Sequence, residues 1–188
     1  MLSALNMAYE ERESRSFLRF QATGLIMTVC GILGAVLALI ILVFLPVGIE
    51  FVGLDAYSKA VVRVASVGML IVFVVTSLSL LYHFGPSRRS AKWHWVTPGS
   101  FIATVLWFIA SILFSLYVGH IASYDASYGP LGAIAGVMMW FWVSAYAVLL
   151  GAELNAELEL QTSEDTTTGP PKPVGQRGAF VADHVAED

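Results

Sequence analysis

Residues 20–46 read FQATGLIMTVCGILGAVLALIILVFLP, a stretch without one charged side chain. About 20 apolar residues are enough for a helix to cross the roughly 30 Å hydrocarbon core of a bilayer. Because the bilayer offers no water to backbone amides, a run that crosses it must be helical. The stretch is also longer than the apolar core of a secretory signal, about 7 to 15 residues. We therefore expect a retained membrane anchor.

Three more apolar runs follow, at about residues 60–83, 99–119 and 130–152. The chain is 57% hydrophobic and 13% charged, with a mean hydropathy of +0.73, whereas a soluble domain has about 25% charged residues. The sequence therefore predicts an all-α, polytopic helical membrane protein. Its four transmembrane helices form one domain over residues 20–160.

Lysine and arginine are distributed unevenly around the four runs. Eight of them lie before the first run, between the second and third, or after the fourth: Arg12, Arg15, Arg19, Arg88, Arg89, Lys92, Lys172 and Arg177. The other side has Lys59 and Arg63, and residues 119–129 have none. Basic residues stay on the cytoplasmic side of a membrane. We therefore expect a multi-pass protein of the bacterial inner membrane, with both termini in the cytoplasm and an outer loop at about residues 119–129.

The two ends of the chain differ from its middle. Residues 1–19 place apolar Leu2, Leu5 and Tyr9 ahead of a charged stretch, which predicts a short cytoplasmic helix at the membrane interface. Residues 161–188 have no apolar periodicity and are rich in proline, threonine and acids. That composition is typical of disorder, so the sequence predicts a disordered cytoplasmic tail.

Hydroxyl side chains follow one face of the third run. They are Ser100, Thr104, Ser111 and Ser115, at spacings that keep one side of a helix. This face has two interpretations. It could line a substrate path, or its hydroxyls could form interhelical hydrogen bonds, each stabilising by about 0.6 to 2 kcal/mol. The second interpretation is the simpler one.

Acidic and amide side chains lie at the C-terminal end of the fourth run. Glu153 and Glu157 are one helical turn apart, and Asn155 lies on another side. A carboxylate deep in a membrane is costly and marks candidate ion or proton sites, so all three join the hydroxyl face as substrate-path candidates. The alternative is an interfacial Glu153 that pairs with a base between the second and third runs.

That connecting loop mixes bases with aromatics. Arg88, Arg89 and Lys92 precede Trp93 and Trp95, a combination that can bind anionic lipid headgroups or a phosphorylated solute. The alternative interpretation gives the bases a role in topology and the rings a role as interface anchors.

Nothing in the sequence predicts a catalytic centre, a metal site or a cofactor. The four histidines are scattered along the chain at His83, His94, His120 and His184, and Cys30 is the single cysteine. No basic surface typical of nucleic-acid binding is present. The expected partner is the lipid bilayer. Small-x-x-x-small patterns allow tight packing within the chain or with a second copy in a homo-oligomer, and they are Gly31/Ala35, Gly34/Ala38 and Gly132/Gly136.

Five sequence blocks, taken in order and spacing, resemble the YihY/virulence factor BrkB family. They are ALNMAY at residues 4–9 with residues 13–17, LYHFGP at 81–86, WVTPGS at 95–100, YGPLGA at 128–133 and GAELNAE at 151–157. The resemblance covers residues 1 to about 160 and implies an inner-membrane protein with about six spans. This chain then corresponds to the C-terminal four-span portion, either as a truncated reading frame or as a natural short form.

The resemblance also bears on function. It implies transport or export of an unidentified solute, or alternatively a non-transporting role in envelope integrity. The family has carried the label ribonuclease BN, but the residues above offer no nuclease site, so a membrane-associated ribonuclease is the weakest hypothesis. We expect a protein that is not an enzyme.

Overall fold

The computed structural model describes residues 1–51, 55–121 and 125–185, and these form an all-α fold. The helices are α1 (Leu2–Ala8), α2 (Phe17–Phe51), α3 (Ala56–Phe84), α4 (Trp93–Ile121), α5 (Asp125–Leu160) and α6 (Phe180–Asp183). Four of them contain segments long and apolar enough to cross a membrane, namely Phe17–Ile41, Tyr57–Phe84, Trp93–Gly119 and Ile134–Leu160. The predicted fold class is confirmed.

Each long helix extends beyond the apolar run that predicts it. Helix α4 begins at Trp93 and α5 ends at Leu160. The length of an apolar run reflects the thickness of the hydrocarbon core. The helix itself continues beyond the run as long as its backbone hydrogen bonds can form. At the opposite end, α4 reaches Ile121 and α5 begins at Asp125. Of the predicted outer loop, residues 122–124 lie outside the described residues.

The four long helices pack chiefly with their neighbours in sequence, and α4 and α5 form the most extensive contact. Gly99 of α4 faces Gly151 of α5 so closely that a Cβ on either would collide with the carbonyl oxygen of the other. Without side chains at this crossing, the two backbones approach, as is common for helices in membranes. Helix α3 joins the pair through the Tyr82 hydroxyl, which donates to the Val148 carbonyl at 2.6 Å.

Only some of the small-x-x-x-small motifs found in the sequence lie at a close contact between two described helices. A Cβ on Gly34 would meet the Phe73 ring at 2.7 Å, so this glycine lets α2 approach α3. In front of Gly31 and Gly132, nothing among the described residues lies within 4 Å, and a Cβ on Gly136 would make ordinary contact with Phe114. The tightest crossing therefore uses a pair of glycines on different helices rather than one small-x-x-x-small motif.

Three segments meet at one end of the helices: residues 1–16, 85–92 and 161–185. We call this region the polar end. Both α1 and α6 pack against α5 there. Its buried apolar residues include Leu5, Tyr9, Ala91 and Val181, which form one core with Val96 of α4 and Ala156 of α5. This shared core positions the charged groups described next.

Candidate functional site

A buried ion pair lies at the centre of the polar end. Arg88, in the α3–α4 loop, donates two hydrogen bonds to the carboxylate of Glu159 in the last turn of α5, at 2.7 and 2.9 Å. The exposed fractions of the two side chains are 1% and 0%. Glu159 also accepts a hydrogen bond from the Thr166 hydroxyl at 2.8 Å. Two parallel bonds between a guanidinium and a carboxylate fix geometry as well as charge.

An aromatic ring from the N-terminal segment covers this pair. The guanidinium of Arg88 lies 4.1 Å from the centre of the Tyr9 ring, a cation–π contact. Burial raises the pKa of the Tyr9 hydroxyl to about 12. For Arg88, burial alone would lower the pKa, but the hydrogen bonds and charge of Glu159 outweigh it and raise the pKa above the ordinary value. The arginine is therefore charged at every physiological pH.

Asn155 forms hydrogen bonds with the backbone of α4 near a proline inside that helix. Pro98 lies inside that helix, where a proline lacks the N–H of a normal helical bond and crowds the preceding turn. The next backbone N–H, that of Gly99, donates to Asn155 Oδ1 at 2.7 Å. Asn155 Nδ2 donates to the Val96 carbonyl at 3.0 Å. One buried amide thus bonds to two backbone groups near the proline, the Gly99 N–H and the Val96 carbonyl, and joins α5 to α4.

Replacing Asn155 by leucine should leave the buried Gly99 N–H without its acceptor, which costs about 1–3 kcal/mol. We expect a clearly lower melting temperature for Asn155→Leu in detergent micelles, followed by circular dichroism. Glu157→Gln is the matched control, because Glu157 is exposed two residues further along α5 and should melt as the wild type does. Equal melting of the two variants would contradict the bridging role.

The N-terminal segment is tied to the loop after α3 by polar contacts. The Ser87 backbone N–H donates to Asn6 Oδ1 at 2.8 Å, and Asn6 Nδ2 donates to Glu13 at the same distance. Arg15 forms an ion pair with Glu13 at 2.8 Å and donates to the Gly85 carbonyl. Hydrogen bonds from Arg15 lower the pKa of Glu13 to about 2. The predicted interfacial helix is therefore part of the folded polar end.

The structure differs from the sequence-based expectation for the tail, which folds back over the α3–α4 loop. Ala91 and Thr167 form an antiparallel bridge, and the Thr168 N–H donates to the Ser90 carbonyl at 2.9 Å. Further along, Arg89 N donates to the Gly178 carbonyl at 2.9 Å. These are sheet-like contacts between backbones, so the structure describes residues 161–185 as packed on the loop, whereas the sequence predicts a disordered tail.

Arg177 explains how a tail without apolar periodicity can fold. Its buried guanidinium donates to the backbone carbonyls of Ser163, Glu164 and Ala182 at 2.7 to 2.9 Å. A single arginine with five donors in a fixed fork therefore closes the tail on itself. The Phe180 N–H then donates to Glu11 at 2.7 Å, which joins the tail to the N-terminal segment.

Asp165 makes the tail sensitive to acid. Its carboxylate accepts hydrogen bonds from the Thr167 N–H, the Thr167 hydroxyl and the Lys172 N–H at 2.7 to 2.9 Å. Burial opposes ionisation, but these bonds outweigh it and lower the pKa of Asp165 from 3.8 to about 2. A group whose pKa is depressed by folding stabilises the fold above its unfolded pKa and loses that contribution as pH falls.

We therefore expect the tail to loosen between about pH 4 and pH 2. Hydrogen exchange of the Thr167 and Lys172 amides, followed by mass spectrometry, should accelerate over this window beyond its intrinsic pH dependence. Asp165→Asn should exchange faster at pH 6 and lack the acid-induced step. Glu164→Gln, a change at the exposed neighbouring residue, should keep the wild-type profile, and an identical step in Asp165→Asn would contradict the assignment.

The structure separates the substrate-path candidates of the sequence into two groups. Ser100 and Thr104 are buried at the α4–α5 contact, where their hydroxyls donate to carbonyls of their own helix at 2.9 and 2.7 Å. Ser111 accepts a hydrogen bond from Trp140 Nε1 at 3.3 Å. The exposed group is Ser115, Glu153 and Glu157. Asn155 belongs with the buried ones, as described above.

The expected pairing of Glu153 with a loop base was wrong. Arg88 pairs with Glu159 instead, because α5 continues for more than a turn beyond Glu153 and carries Glu159 over the loop. Lys92 donates to the Asp165 carbonyl at 2.5 Å. The sequence does contain a signal for Glu159, since it lies four residues after Asn155 and so on the same helix face.

A cavity of about 380 Å3 opens beside the ion pair. It lies where the N-terminal segment, the end of α3 and the α3–α4 loop meet. Its lining residues are Ser14, Arg15, His83, Phe84, Pro86, Ser87, Arg88, Arg89, Ser90 and Gly178. Three arginines around one polar cavity could receive a negatively charged group. Across the described part of the chain, no group of three His, Cys, Asp or Glu side chains could hold a metal ion.

Comparisons with known proteins agree on one family. A family model described as virulence factor BrkB matches residues 1–176. The chain is 33% identical over 162 residues to the putative ribonuclease-like protein YfkH of Bacillus subtilis (strain 168), a match that covers 84% of this chain and 58% of the relative. It is 30% identical over 114 residues to a UPF0761 membrane protein of Pseudoalteromonas translucida (strain TAC 125), covering 61% and 36%.

The matched part is a portion of each of these relatives. A UPF0761 membrane protein of Idiomarina loihiensis (strain ATCC BAA-735 / DSM 15497 / L2-TR) is 36% identical over 80 residues, which cover 43% of this chain and 28% of the relative. The matched part of this chain thus spans 58% of the first of these relatives, 36% of the second and 28% of the third. No solved structure matches it.

Proposed function

This chain belongs to the virulence factor BrkB family, and from that membership and its four apolar helices we propose that it is a multi-pass protein of the bacterial inner membrane that transports or exports a solute. The polar end then lies in the cytoplasm. The observation that carries the proposal is the ion pair of Arg88 and Glu159, buried next to a basic cavity at the end of the apolar helices.

The distribution of basic residues supports the orientation. The polar end and the adjoining start of α2 contain eight of the ten lysines and arginines of the chain, and the remaining two, Lys59 and Arg63, lie near the start of α3. Segments rich in lysine and arginine remain on the cytoplasmic side during membrane insertion. Contacts join three of these segments into one folded unit, which supports the proposal that they lie on one side of the membrane.

A buried ion pair favours transport over a purely structural role. Replacing such a pair by apolar residues of similar volume often leaves stability unchanged or improves it. Charged groups within transmembrane segments, by contrast, are typical of substrate and ion pathways, and Glu159 lies in the last turn of the apolar segment Ile134–Leu160. The pair of Arg88 and Glu159 also lies between the N-terminal segment, the loop and the tail, and Arg88 is one of the residues that line the cavity.

The second candidate function is a non-transporting role in envelope integrity. It is favoured by the hydroxyl face of α4, where Ser100 and Thr104 pack against α5 and Ser111 accepts a bond from Trp140. In this alternative the polar side chains hold helices together, and a second copy of the chain is the expected partner. A ribonuclease activity ranks last, because its support is that one relative is called a putative ribonuclease-like protein.

Transport can be tested with everted membrane vesicles that contain the full chain and are incubated with the small-molecule fraction of a bacterial extract. Mass spectrometry of the vesicle lumen should show at least one anionic solute that accumulates with the wild type and not with empty membranes. The double variant Arg88→Met/Glu159→Leu keeps the volume of the pair and removes its charges. We expect it to be present at normal level and to accumulate none.

Two further variants separate transport from packing. Thr104→Leu changes a buried α4 residue and should reduce the amount of folded protein. Glu153→Gln changes an exposed residue and should leave the amount unchanged, so reduced flux in this variant would place Glu153 on the route. No accumulation by a well-folded wild type would favour the envelope-integrity alternative.

A further inference from the structure

We propose that the cavity at the polar end binds the phosphate group of an anionic phospholipid, with Arg89 as its charged contact. The inference deepens the proposed function and rests on it for the place of the lipid in transport, whereas binding itself is measured without flux. Of the three basic residues of the α3–α4 loop that the sequence offers as anion contacts, Arg88, Arg89 and Lys92, the proposal selects Arg89.

Charge pairing singles out Arg89 among the three arginines of the cavity. Glu13 neutralises Arg15, and Glu159 neutralises Arg88. Among the residues that the structure describes, no carboxylate forms a salt bridge with Arg89. The cavity therefore carries one positive charge without a counter-charge, and a group with one negative charge would balance it.

The hydrogen bonds of Arg89 are also incomplete. Its Nη1 is buried and has no hydrogen-bond partner within the described ranges. An unsatisfied buried donor is destabilising, more so when it is charged. The backbone holds the side chain in place, because Arg89 N donates to Gly178 and Gly169 lies against the guanidinium. An incoming phosphate oxygen would supply the missing acceptor.

Neutral groups around Arg89 suit phosphate recognition. The Ser14 and Ser87 hydroxyls lie 3.0 Å from each other, and Ser90 is the third serine of the lining. Hydroxyls can donate to phosphate oxygens once a ligand competes with their internal bond. His83 forms the inner wall and stacks on Trp93 with ring centres 4.3 Å apart. The volume of about 380 Å3 accommodates a phosphate together with a small substituent.

The helices that border this site favour a lipid over a soluble phosphate compound. Further along α3, at its contact with α2, lies a second cavity of about 210 Å3, with an almost entirely apolar lining that includes Leu37, Ala38, Leu70 and Phe73. From His83 to Phe73, the nearest α3 residue in that lining, α3 rises roughly 15 Å at about 1.5 Å per residue. One leaflet of the hydrocarbon core is about 15 Å deep. A lipid with its phosphate beside Arg89 could therefore reach this apolar cavity with an acyl chain.

The test is native mass spectrometry of the full chain in detergent, titrated with dioleoyl phosphatidylglycerol and separately with dioleoyl phosphatidylcholine. We expect phosphatidylglycerol to bind at least about tenfold more tightly. Arg89→Gln should weaken its binding about tenfold. Arg12→Gln is the matched control, because Arg12 is exposed at the same end of the molecule, and it should change binding less than twofold.

A second variant keeps the test decisive if Arg89→Gln folds poorly. Ser14→Asp places a carboxylate in the cavity from the exposed N-terminal segment and should weaken phosphatidylglycerol binding as Arg89→Gln does. Equal affinity for the two lipids, or an equal loss in Arg12→Gln, would overturn the site. Displacement of the lipid by millimolar inorganic phosphate would overturn the lipid assignment. Lipid binding without solute accumulation would refute the proposed function and leave the site intact.

Discussion

Replacing Glu159 by leucine should lower the free energy of unfolding by about 3–5 kcal/mol, the usual result of leaving one charge of a buried ion pair without its partner. Arg88 would keep its charge in a place where its side chain is 1% exposed. The Thr166 hydroxyl would lose its acceptor as well. Unfolding in mixed detergent micelles of increasing denaturing strength, followed by tryptophan fluorescence, measures the effect.

The double variant Arg88→Met/Glu159→Leu is the control for this prediction. It removes both charges at similar volume, and such replacements are often neutral or stabilising. We expect it to recover most of the stability that the single change removes. A double variant as unstable as Glu159→Leu would show that the polar end depends on shape or on Thr166 rather than on charge pairing.

The second large effect is expected at the crossing of α4 and α5. A Cβ at Gly151 would lie 2.6 Å from the Gly99 carbonyl oxygen, the Ala103 Cβ and the Tyr82 hydroxyl. Overpacking commonly costs about 1–3 kcal/mol, and three such contacts, with α4 and α3, place Gly151→Ala at the upper end of that range or above it. The readouts are the yield of folded protein in membranes and its melting temperature.

Gly132→Ala provides the comparison, since it makes the same change on the same helix with nothing described within 4 Å. There the alanine should be neutral or stabilise by up to about 1 kcal/mol, because glycine disfavours helices. If both variants lose the same amount of folded protein, the close approach of the two glycines does not hold α4 to α5.

The sequence predicts the four spans well because their signal is local. A run such as residues 20–46 has no alternative to a membrane helix, whatever its neighbours do. The crossing of Gly99 and Gly151 could not be found in the same way. Glycine spacing within one helix shows that one face lacks bulky side chains. Which helix packs against that face depends on which helices are adjacent in three dimensions.

The candidate site was predicted in its location but not in its pairings. The basic loop was recognised from Arg88, Arg89 and Lys92, yet the partner of Arg88 depends on how far α5 continues past the hydrocarbon. The tail was missed for a different reason. Its fold depends on Arg177 and Asp165, each of which bonds to backbone groups, and composition carries no signal for such bonds.

The contact between Arg88 and Glu159 also sets an order of events during synthesis. Their positions differ by 71 residues, which a bacterial ribosome adds in roughly 4–14 s at about 5–20 residues per second. During that interval the carboxylate of Glu159 has not been made, so the guanidinium of Arg88 stays hydrated. Under the proposed orientation, the hairpin of α4 and α5 therefore has to enter the membrane before the polar end can close, and this closure marks completed insertion.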